Sequence, residues 1–470
     1  MVFSSLEFIF IFMPVFFAVY FLLPGKLKNI WIFIGSVGFY TYGALDRPVY
    51  ILLLLFCILL NYLLALGMEA FPKARKAFLV IGLLYDFGVL FVFKYLDFLL
   101  GNLNALIAAI WPLSGVQLPL ASLTLPIGIS FYTFQIVSYL ADVYRGAVPA
   151  ERSPVKVGAY LSMFPQLIAG PIVTYTSVSA QFDFRRHSLK RVNSGLMDFT
   201  VGLGLKVLLA NQIGKLWTDV STIGFESIST PLAWMGSFAY SMQLYFDFFG
   251  YSVMAIGLGK MMGFKLPQNF DHPYIAVSFT DFWRRWHKTL SGWFRDYVYI
   301  PLGGNRQGKG KMYRNLLIVW LLTGLWHGAA WNFVLWGLVT FVLIAIEKLG
   351  FGEFLEKHRA IGHLYMIFMI PLTWTVFAIT DFRQLGIYFT RLFPFFGEGI
   401  NVYAGDFLKY GKHYWILFAV CVLFSTTLPQ RIYKKIKGSI LCSVLLLAIF
   451  WGAVYCLYIG LDDPFLYFRF

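Results

Sequence analysis

Charged residues are scarce in this sequence. Asp, Glu, Lys and Arg make up 13% of its 470 residues, against roughly 25% in soluble domains, so an ordinary water-soluble fold is excluded. Cysteine is rare as well, and no CxxC or Cys/His pairing occurs. The four cysteines, all in apolar stretches, are Cys57, Cys421, Cys442 and Cys456. This pattern argues against a disulfide framework or a metal site. It predicts that the cysteines are buried and pack like small apolar residues.

Hydrophobic residues make up 59% of the chain, and the mean hydropathy is +0.70. They occur in blocks that approach or exceed the ~20 helical residues needed to cross the ~30 Å hydrocarbon core of a bilayer. The blocks lie at about residues 6–23, 29–45, 48–68, 77–100, 122–140, 157–173, 195–219, 232–263, 313–347, 361–380, 413–428 and 439–460. The sequence therefore predicts an all-α polytopic membrane protein with about 11 transmembrane helices, forming one domain over residues 1–470.

The net charge of +15 would suggest nucleic-acid binding in a soluble domain. In a membrane protein, the enrichment of Lys and Arg in cytoplasmic loops explains the same charge, so the lipid bilayer and not nucleic acid is the expected partner. The first block, 6–23, has no basic residues before it and no small-residue cleavage site. We therefore expect it to remain as the first span, with the N-terminus outside.

Two blocks do not fit a single crossing. Residues 157–173 lie between two basic stretches and contain Pro165, Gly170 and Pro171, which predicts a re-entrant segment. Residues 313–347 would rise ~50 Å as one helix, too far for an upright span. This block is either two segments broken near Gly328 or one strongly tilted helix.

Residues 281–314 form the most basic segment, with eight Lys or Arg and two Asp. On a helical wheel one arc holds the large apolar residues, namely Phe282, Trp283, Trp286, Leu290, Trp293, Phe294 and Tyr297, and the opposite face holds Arg284, Arg285, Lys288 and Arg295. This separation predicts one amphipathic helix in the cytoplasmic interface of the membrane. His287 falls at the edge of the arc, and the pattern favours an interfacial histidine over a functional one. The glycine-rich loop after it, which contains Arg306, lacks the P-loop pattern and argues against an NTPase.

His327 lies in LLTGLWHGAAWNFVLWG, where its neighbours are apolar or small for more than two turns in each direction. Ionisable side chains at membrane depth are costly and tend to face cavities or pathways. A neutral imidazole is cheaper to bury, so His327 could instead hydrogen-bond Thr323 and hold helices together. Gly324 and Gly328 bracket it in a GxxxG spacing that permits close helix approach. The residues alone leave a catalytic and a packing role equally open.

Other polar residues inside apolar blocks are expected to have structural roles. Asp247, in QLYFDFFGYS, is expected to form a hydrogen bond between helices, and Asn332 is the polar residue nearest to His327 on its C-terminal side. Lys94, Asp142 and Lys206 are interpreted in the same way. With Thr323, Asp247 and Asn332 are the candidates for polar groups that line a channel or support the structure.

Several stretches resemble the membrane-bound O-acyltransferase superfamily, in particular its bacterial alginate O-acetylation branch (AlgI-like) and, more distantly, the membrane proteins of teichoic acid D-alanylation. The matching stretches are MVFSS at the start, LPIGISFYTFQIVSYLADVYRG (125–146), FPQLIAGPI (164–172), QLYFDFFGYSVMAIGLGKMMGF (243–264), NFDHPY (269–274), FWRRWHKTLSGWFRDYVYIPLGGNR (282–306) and GLWHGAAWNFVLWG (324–337). The motif-bearing core spans about 100–347. The chain departs from the family's usual FSGYSDMAIG, because Phe249 and Val253 replace the Ser and the Asp.

The resemblance implies that His327 is the invariant catalytic histidine and His287 the second active-site histidine, both beside a central channel. It implies a cytosolic thioester donor, acetyl-CoA or an acyl-carrier protein, with no tightly bound cofactor or metal. The acceptor would be an extracytoplasmic polysaccharide such as alginate, with an extracytoplasmic acetyltransferase partner and a bacterial plasma-membrane location. His327 would act as the base, with His287 orienting the donor or donating to the thioester carbonyl, and an acyl-histidine intermediate is also compatible.

The basic residues Arg284, Arg285, Lys288 and Arg306 would attract the anionic donor, although positive-inside topology explains them equally well. Transfer of D-alanine or another acyl group to a cell-wall polymer is an alternative reaction. A proton-coupled transporter and a noncatalytic export scaffold are alternatives from other classes. The sequence shows no internal repeat of the kind common in transporters.

Overall fold

The computed structural model describes residues 2–113, 115–168, 170–396, 402–403, 405–460 and 466, and within these ranges it contains helices and no β-strand. The chain divides into two compact units. The first consists mainly of Glu7–Asn193 with Leu258–Pro267, and the second mainly of Ser194–Gly257 with Gln268–Phe470. The prediction of one domain over 1–470 stays a prediction, and each unit is described by itself.

The described residues of the first unit include nine complete α-helices. These are α1 (Met13–Leu22), α2 (Lys28–Gly43), α3 (Val49–Ala70), α4 (Arg75–Lys94), α5 (Leu96–Ile110), α6 (Ile129–Arg145), α7 (Pro154–Ser162), α8 (Phe164–Leu167) and α9 (Tyr175–Asp183). A π-helix, Phe8–Phe12, leads directly into α1. Short 3₁₀ turns, Gly25–Leu27 and Pro72–Ala74, precede α2 and α4.

The helices that follow belong wholly or largely to the second unit. These are α10 (Leu189–Gly204), α11 (Asn211–Ile223), α12 (Thr230–Met261), α13 (Phe279–Arg285), α14 (Lys288–Phe294), α15 (Lys309–His327), α16 (Trp331–Ile346), α17 (Gly352–Lys357), α18 (Arg359–Ala378), α19 (Phe382–Leu392), α20 (Asp406–Ser425), α21 (Leu428–Ile436) and α22 (Ile440–Tyr458). Three π-helices interrupt or extend them, at Leu205–Ala210, Arg295–Tyr299 and Glu347–Phe351.

Seven helical stretches among the described residues are long and apolar enough to cross a membrane. They are Val49–Ala70, Pro72–Lys94, Leu189–Ile223, Trp331–Lys357, Arg359–Ala378, Asp406–Ser425 and Ile440–Tyr458, and two shorter apolar helices cover Phe8–Leu22 and Leu96–Ile110. The outward faces of these helices carry large exposed aliphatic side chains, such as Leu52, Leu84 and Leu447, as lipid-facing helices do. The polytopic class is confirmed, whereas the count of about 11 spans stays a prediction.

The block at 157–173 does not form one continuous helix. It contains the end of α7, a break at Met163 and the short α8, with Pro165 in the first turn of α8, and nearly all of these residues are buried. Residue 169, inside the FPQLIAGPI stretch, lies outside the described residues. A broken, protein-covered segment agrees with the re-entrant interpretation, but re-entry itself stays a prediction.

The cysteines form no disulfide. Cys57, Cys421 and Cys442 are buried, as expected of small apolar residues, while Cys456 is partly exposed. Two of the polar residues inside apolar blocks have side-chain partners: Thr176 donates to Asp142 over 2.6 Å, and the Lys94 ammonium lies 3.4 Å from the Ser130 hydroxyl. Their structural interpretation agrees with these contacts.

Asp247 and Lys206, whose roles the sequence left separate, form a buried ion pair in the second unit. The Lys206 Nζ lies 2.7 Å from the Asp247 Oδ1, and the two side chains are 0% and 3% exposed. Glycines make this contact feasible, because a Cβ on Gly202 would lie 2.5 Å from the Gly250 carbonyl oxygen. The backbones of α10 and α12 therefore touch, and the π-helix at Leu205–Ala210 begins beside this contact.

This pair provides a test of the fold. Replacing Lys206 with Met leaves a buried carboxylate without its cation, and we expect the free energy of unfolding to fall by about 3–5 kcal/mol. The double replacement Lys206→Met with Asp247→Leu removes both charges and should restore most of that loss. Thermal unfolding of the purified protein in detergent measures both. A single variant as stable as the wild type would show that the pair contributes little.

Candidate active site

Residues 309–346 form a helical hairpin. Helix α15 ends at His327, Gly328 is extended with φ −166° and ψ 156°, and α16 starts at Trp331. The predicted break near Gly328 is confirmed, and the single tilted helix is wrong. The two helices lie in backbone contact, because a Cβ on Gly324 would lie 2.2 Å from the Phe333 carbonyl oxygen. The GxxxG spacing thus serves close packing beside the histidine, as expected.

His327 is the last residue of α15, not a residue in the middle of a helix. Its side chain is 7% exposed and contacts three aromatic rings edge to face. The ring centroids of Trp326, Trp336 and Phe377 lie 5.1, 5.3 and 5.1 Å from that of His327. The imidazole therefore sits in a tightly packed aromatic pocket at a helix end, where the chain can change direction.

The two polar residues predicted near His327 support the helices around it. The Thr323 hydroxyl donates to the Val319 carbonyl over 2.7 Å, one turn earlier in α15. The buried Asn332 side chain donates to the carbonyls of Val376 and Phe377, at 3.3 and 2.9 Å. These are last-turn carbonyls of α18 that have no partner within the helix. Asn332 therefore fixes the end of α18 where Phe377 packs on His327.

The predicted amphipathic helix over the 281–297 region is wrong, because the chain bends at Trp286 and His287. Helix α13 starts after Ser278, whose side chain caps it, and ends at Arg285. Trp286 is extended, His287 has the left-handed values φ 41° and ψ 52°, and α14 starts at Lys288. A periodicity argument assumes one uninterrupted helix and cannot detect such a bend. His287 is consequently buried, at 1% exposure, and not at an interfacial edge.

Asn269 holds this bend in place. Its backbone carbonyl accepts the Lys288 N–H over 2.9 Å. Its side-chain Oδ1 accepts from the Thr289 N–H over 3.3 Å and from the Thr289 hydroxyl over 2.9 Å. Because the Thr289 N–H can only donate, the atom facing it is the amide oxygen of Asn269. Asn269 thus secures a residue conformation that non-glycine residues rarely adopt.

The same oxygen determines which ring nitrogen of His287 carries the proton. The His287 Nδ1 lies 3.1 Å from the Asn269 Oδ1 and 3.4 Å from the Leu290 backbone nitrogen. An oxygen that already accepts from Thr289 requires Nδ1 to donate, whereas the Leu290 N–H requires it to accept. The shorter contact favours the proton on Nδ1. The Nε2 atom then carries a lone pair.

The Nε2 atom of His287 is buried and has no hydrogen-bond partner in the described part of the chain. Burial lowers the pKa of His287 to about 3, so the neutral imidazole is the form present at physiological pH. Its ring packs against Phe248, with 4.7 Å between centroids. The result is a neutral, desolvated nitrogen lone pair that is positioned to accept a hydrogen bond.

Trp326 brings the two histidines into one site. Its ring centroid lies 5.1 Å from that of His327 and 5.9 Å from that of His287. Behind His327, Trp336 stacks on Trp374 with 5.8 Å between centroids and contacts Trp283 of α13 at 5.5 Å. The aromatic residues of the predicted amphipathic helix thus face the protein interior beside His327.

The basic residues predicted to bind the donor lie on the outside of the bend. Arg284 and Lys288 are exposed, and Arg306 is exposed on the separate glycine-rich loop. The Arg285 guanidinium is already engaged by the Asp281 carboxylate at 2.8 Å. Within the described ranges, no group of three or more His, Cys, Asp or Glu could hold a metal ion. The donor-binding role of all four basic residues stays a prediction.

Asn269 and Trp326 are two residues of this site to which the sequence had assigned no role. Both lie inside stretches that carry the family resemblance, NFDHPY for Asn269 and GLWHGAAWNFVLWG for Trp326. Those stretches could have suggested them. Their contacts with the histidines depend on the bend at His287 and on the α15–α16 hairpin.

Comparison with known proteins identifies the family of this chain. Residues 121–354 match the membrane-bound O-acyltransferase (MBOAT) family. The chain is 38% identical to the probable alginate O-acetylase AlgI of Azotobacter vinelandii over 400 residues, which covers 84% of this chain and 78% of the relative. It is also 38% identical to the peptidoglycan O-acetyltransferase of Helicobacter pylori over 425 residues, covering 82% and 78% of the two chains. A teichoic acid D-alanyltransferase of Bacillus subtilis is 29% identical over 245 residues, covering 50% and 61%. The chain therefore belongs to the MBOAT family and is a multi-pass membrane acyltransferase.

Proposed function

We propose that this protein transfers an acetyl group from a cytosolic thioester, acetyl-CoA or an acyl-carrier protein, through the plasma membrane for O-acetylation of an extracytoplasmic polysaccharide. The observation that carries the proposal is the pair of buried imidazoles, His287 and His327, which both contact the ring of Trp326. Two relatives that are 38% identical to this chain are named an alginate O-acetylase and a peptidoglycan O-acetyltransferase. The D-alanyl relative matches half of the chain at lower identity, which favours acetyl over D-alanine.

His327 acts as the general base in this proposal. Transfer to a hydroxyl requires removal of the hydroxyl proton as the oxygen attacks the thioester carbonyl, and a positioned imidazole serves this step at neutral pH. The C–S bond then breaks, and the proton passes to the leaving thiolate. His327 ends α15, so its ring lies beside the extended Gly328 at the turn of the α15–α16 hairpin.

His287 orients the donor by accepting a hydrogen bond at Nε2, such as one from an amide N–H of a pantetheine arm. The alternative role, donation to the thioester carbonyl, requires a proton on Nε2. The Asn269 contact favours Nδ1 for the single proton, and burial, which lowers the pKa to about 3, disfavours the doubly protonated ring. The acceptor role is therefore the better supported one.

Trp336 is the candidate that stabilises the oxyanion. Its ring lies 5.3 Å from that of His327 between centroids, its side chain is fully buried, and its Nε1–H has no acceptor among the described residues. A buried indole N–H usually has a partner. A carbonyl oxygen that gains negative charge beside His327 would provide one.

Delivery outside the membrane is proposed to involve an extracytoplasmic acetyltransferase partner, with Arg284, Arg285, Lys288 and Arg306 attracting the anionic donor on the cytosolic side. We test the reaction in the producing bacterium by deleting the gene and analysing surface polysaccharide and peptidoglycan by mass spectrometry. We expect O-acetyl groups to disappear from one polymer, its export to continue, and the wild-type gene to restore acetylation. Unchanged acetylation of both polymers would contradict the proposal, and loss of export would favour a transporter or scaffold.

A further inference from the structure

A cluster of basic side chains lies in the first unit. Lys28 is the first residue of α2, and Arg185, His187 and Arg191 follow α9. The Lys28 ammonium lies 4.8 Å from the Tyr20 ring centre, and the Tyr20 and His187 rings lie 5.6 Å apart. Lys28 and His187 therefore sit on the same aromatic ring.

The turn after α12 brings the other two members to the same place. The Arg191 guanidinium donates to the Gly263 carbonyl over 3.3 Å. A Cβ on Gly263 would lie 3.1 Å from His187 Cε1 and 3.2 Å from Arg185 Cβ. The Tyr20 hydroxyl donates to the carbonyl of the preceding Met262 over 2.6 Å. Arg185, His187 and Arg191 thus lie against one backbone turn, and Lys28 lies over the Tyr20 ring that is hydrogen-bonded to the same turn.

The three cations of the cluster are Lys28, Arg185 and Arg191. None of them forms an ion pair with a carboxylate in the described part of the chain. Asp183, two residues before Arg185, is engaged by Lys156 instead. Lys28 also occupies the N-terminal end of a 16-residue helix without a side-chain cap. A cation is disfavoured at that end and an anion is favoured.

Mutual repulsion between these groups contributes to lowered pKa values of two of them. Burial, and then the charges of Lys28, Arg185 and Arg191, lower the pKa of His187 to about 4. Burial and the charge of Arg185 lower the pKa of Lys28 as well. Positively charged side chains that lie close together without a neighbouring carboxylate repel one another. A bound anion would reduce this repulsion.

We propose that Lys28, Arg185, His187 and Arg191 form a binding site for a phosphate group. The two guanidinium groups and the ammonium supply charge, and Tyr20 supplies an aromatic floor next to the imidazole. The phosphate comes either from a phospholipid headgroup or from a soluble phosphate ester such as coenzyme A. The argument for this site does not rest on the proposed acetyl transfer, and a phospholipid headgroup would bind there whether or not that reaction takes place.

The experiment distinguishes specific binding at this cluster from nonspecific attraction by the positive charge of cytoplasmic loops. The full-length protein, purified in mild detergent, is titrated with phosphatidylglycerol and bound lipid is counted by native mass spectrometry. The triple variant Lys28→Gln, Arg185→Gln and Arg191→Gln should bind roughly tenfold to a hundredfold more weakly. The matched control removes the same charge from the exposed α21 residues Arg431, Lys434 and Lys435 and should bind within about twofold of wild type. Equal affinities of the two triple variants would overturn the proposal.

A competition experiment identifies the source of the phosphate. If excess coenzyme A displaces the lipid from the wild type, the natural ligand is a soluble phosphate ester. If coenzyme A does not displace the lipid, the natural ligand is a phospholipid headgroup. Should the triple variant not remain monodisperse, Lys28→Gln alone is measured, with an expected loss of roughly fivefold. Unchanged binding in that single variant would also overturn the proposal.

Discussion

Replacing His327 with Gln is expected to reduce acyl transfer by a factor of about 10²–10⁴, the contribution of a positioned general base. Gln keeps hydrogen-bonding atoms in the aromatic pocket but cannot take up a proton at neutral pH. The loss should appear in kcat with little change in KM for the donor, because the proposed role lies in the chemical step. Transfer from an acyl thioester to the polysaccharide in membranes, at matched protein abundance, measures it.

A second histidine variant controls for effects on folding. His363 lies on α18, 14 residues before Phe377, which corresponds to about 20 Å along the helix from the contact with His327. His363→Gln should therefore leave transfer unchanged. Persistent polymer acetylation in the His327→Gln strain would show that the catalytic assignment is wrong. Loss of acetylation with normal polymer export would argue against the transporter and scaffold alternatives.

Replacing Asn269 with Leu should lower kcat by roughly 10–100-fold, the range for a group that fixes the orientation and tautomer of a functional histidine. Without the amide oxygen, the remaining partner of the His287 Nδ1 is the Leu290 N–H at 3.4 Å. Nδ1 would then accept, and the proton would move to Nε2. The lone pair proposed to orient the donor is lost, although His287 itself is unchanged.

Conservative variants distinguish this positioning role from general damage to the bend. Asn269→Asp keeps an acceptor at Nδ1 and removes only the Nδ2 group, which has no partner among the described residues. It should recover most of the activity, with a shifted pH profile because a carboxylate raises the pKa of the imidazole. Thr289→Val removes one donor to the Asn269 oxygen and should change kcat by no more than a few-fold. Equal losses in the Leu and Asp variants would show that Asn269 only supports the structure.

The predicted break near Gly328 illustrates what local composition can indicate. A 35-residue apolar block is too long to cross once, so a turn was one of two solutions, and the structure has α15 and α16 on either side of it. The bend at His287 had no comparable signal. Its apolar positions satisfy a helical period, whereas the left-handed conformation depends on hydrogen bonds that Asn269, 18 residues earlier, accepts. Pairing of Lys206 with Asp247 was equally hidden, because it depends on which helices pack together.

Membrane embedding follows from the sequence by itself. Long apolar blocks and scarce charge can be read directly from the sequence, and a chain with both is stable only within a lipid bilayer. The prediction that His327 is catalytic also comes from the sequence, through the stretch around it and the family that this stretch resembles. Only the tertiary structure decided that His327 ends its helix, that Trp326 contacts two buried imidazoles, and that the Nδ1 atom of His287 lies beside the amide oxygen of Asn269. These features depend on contacts between segments distant in the chain, which periodicity and composition do not encode.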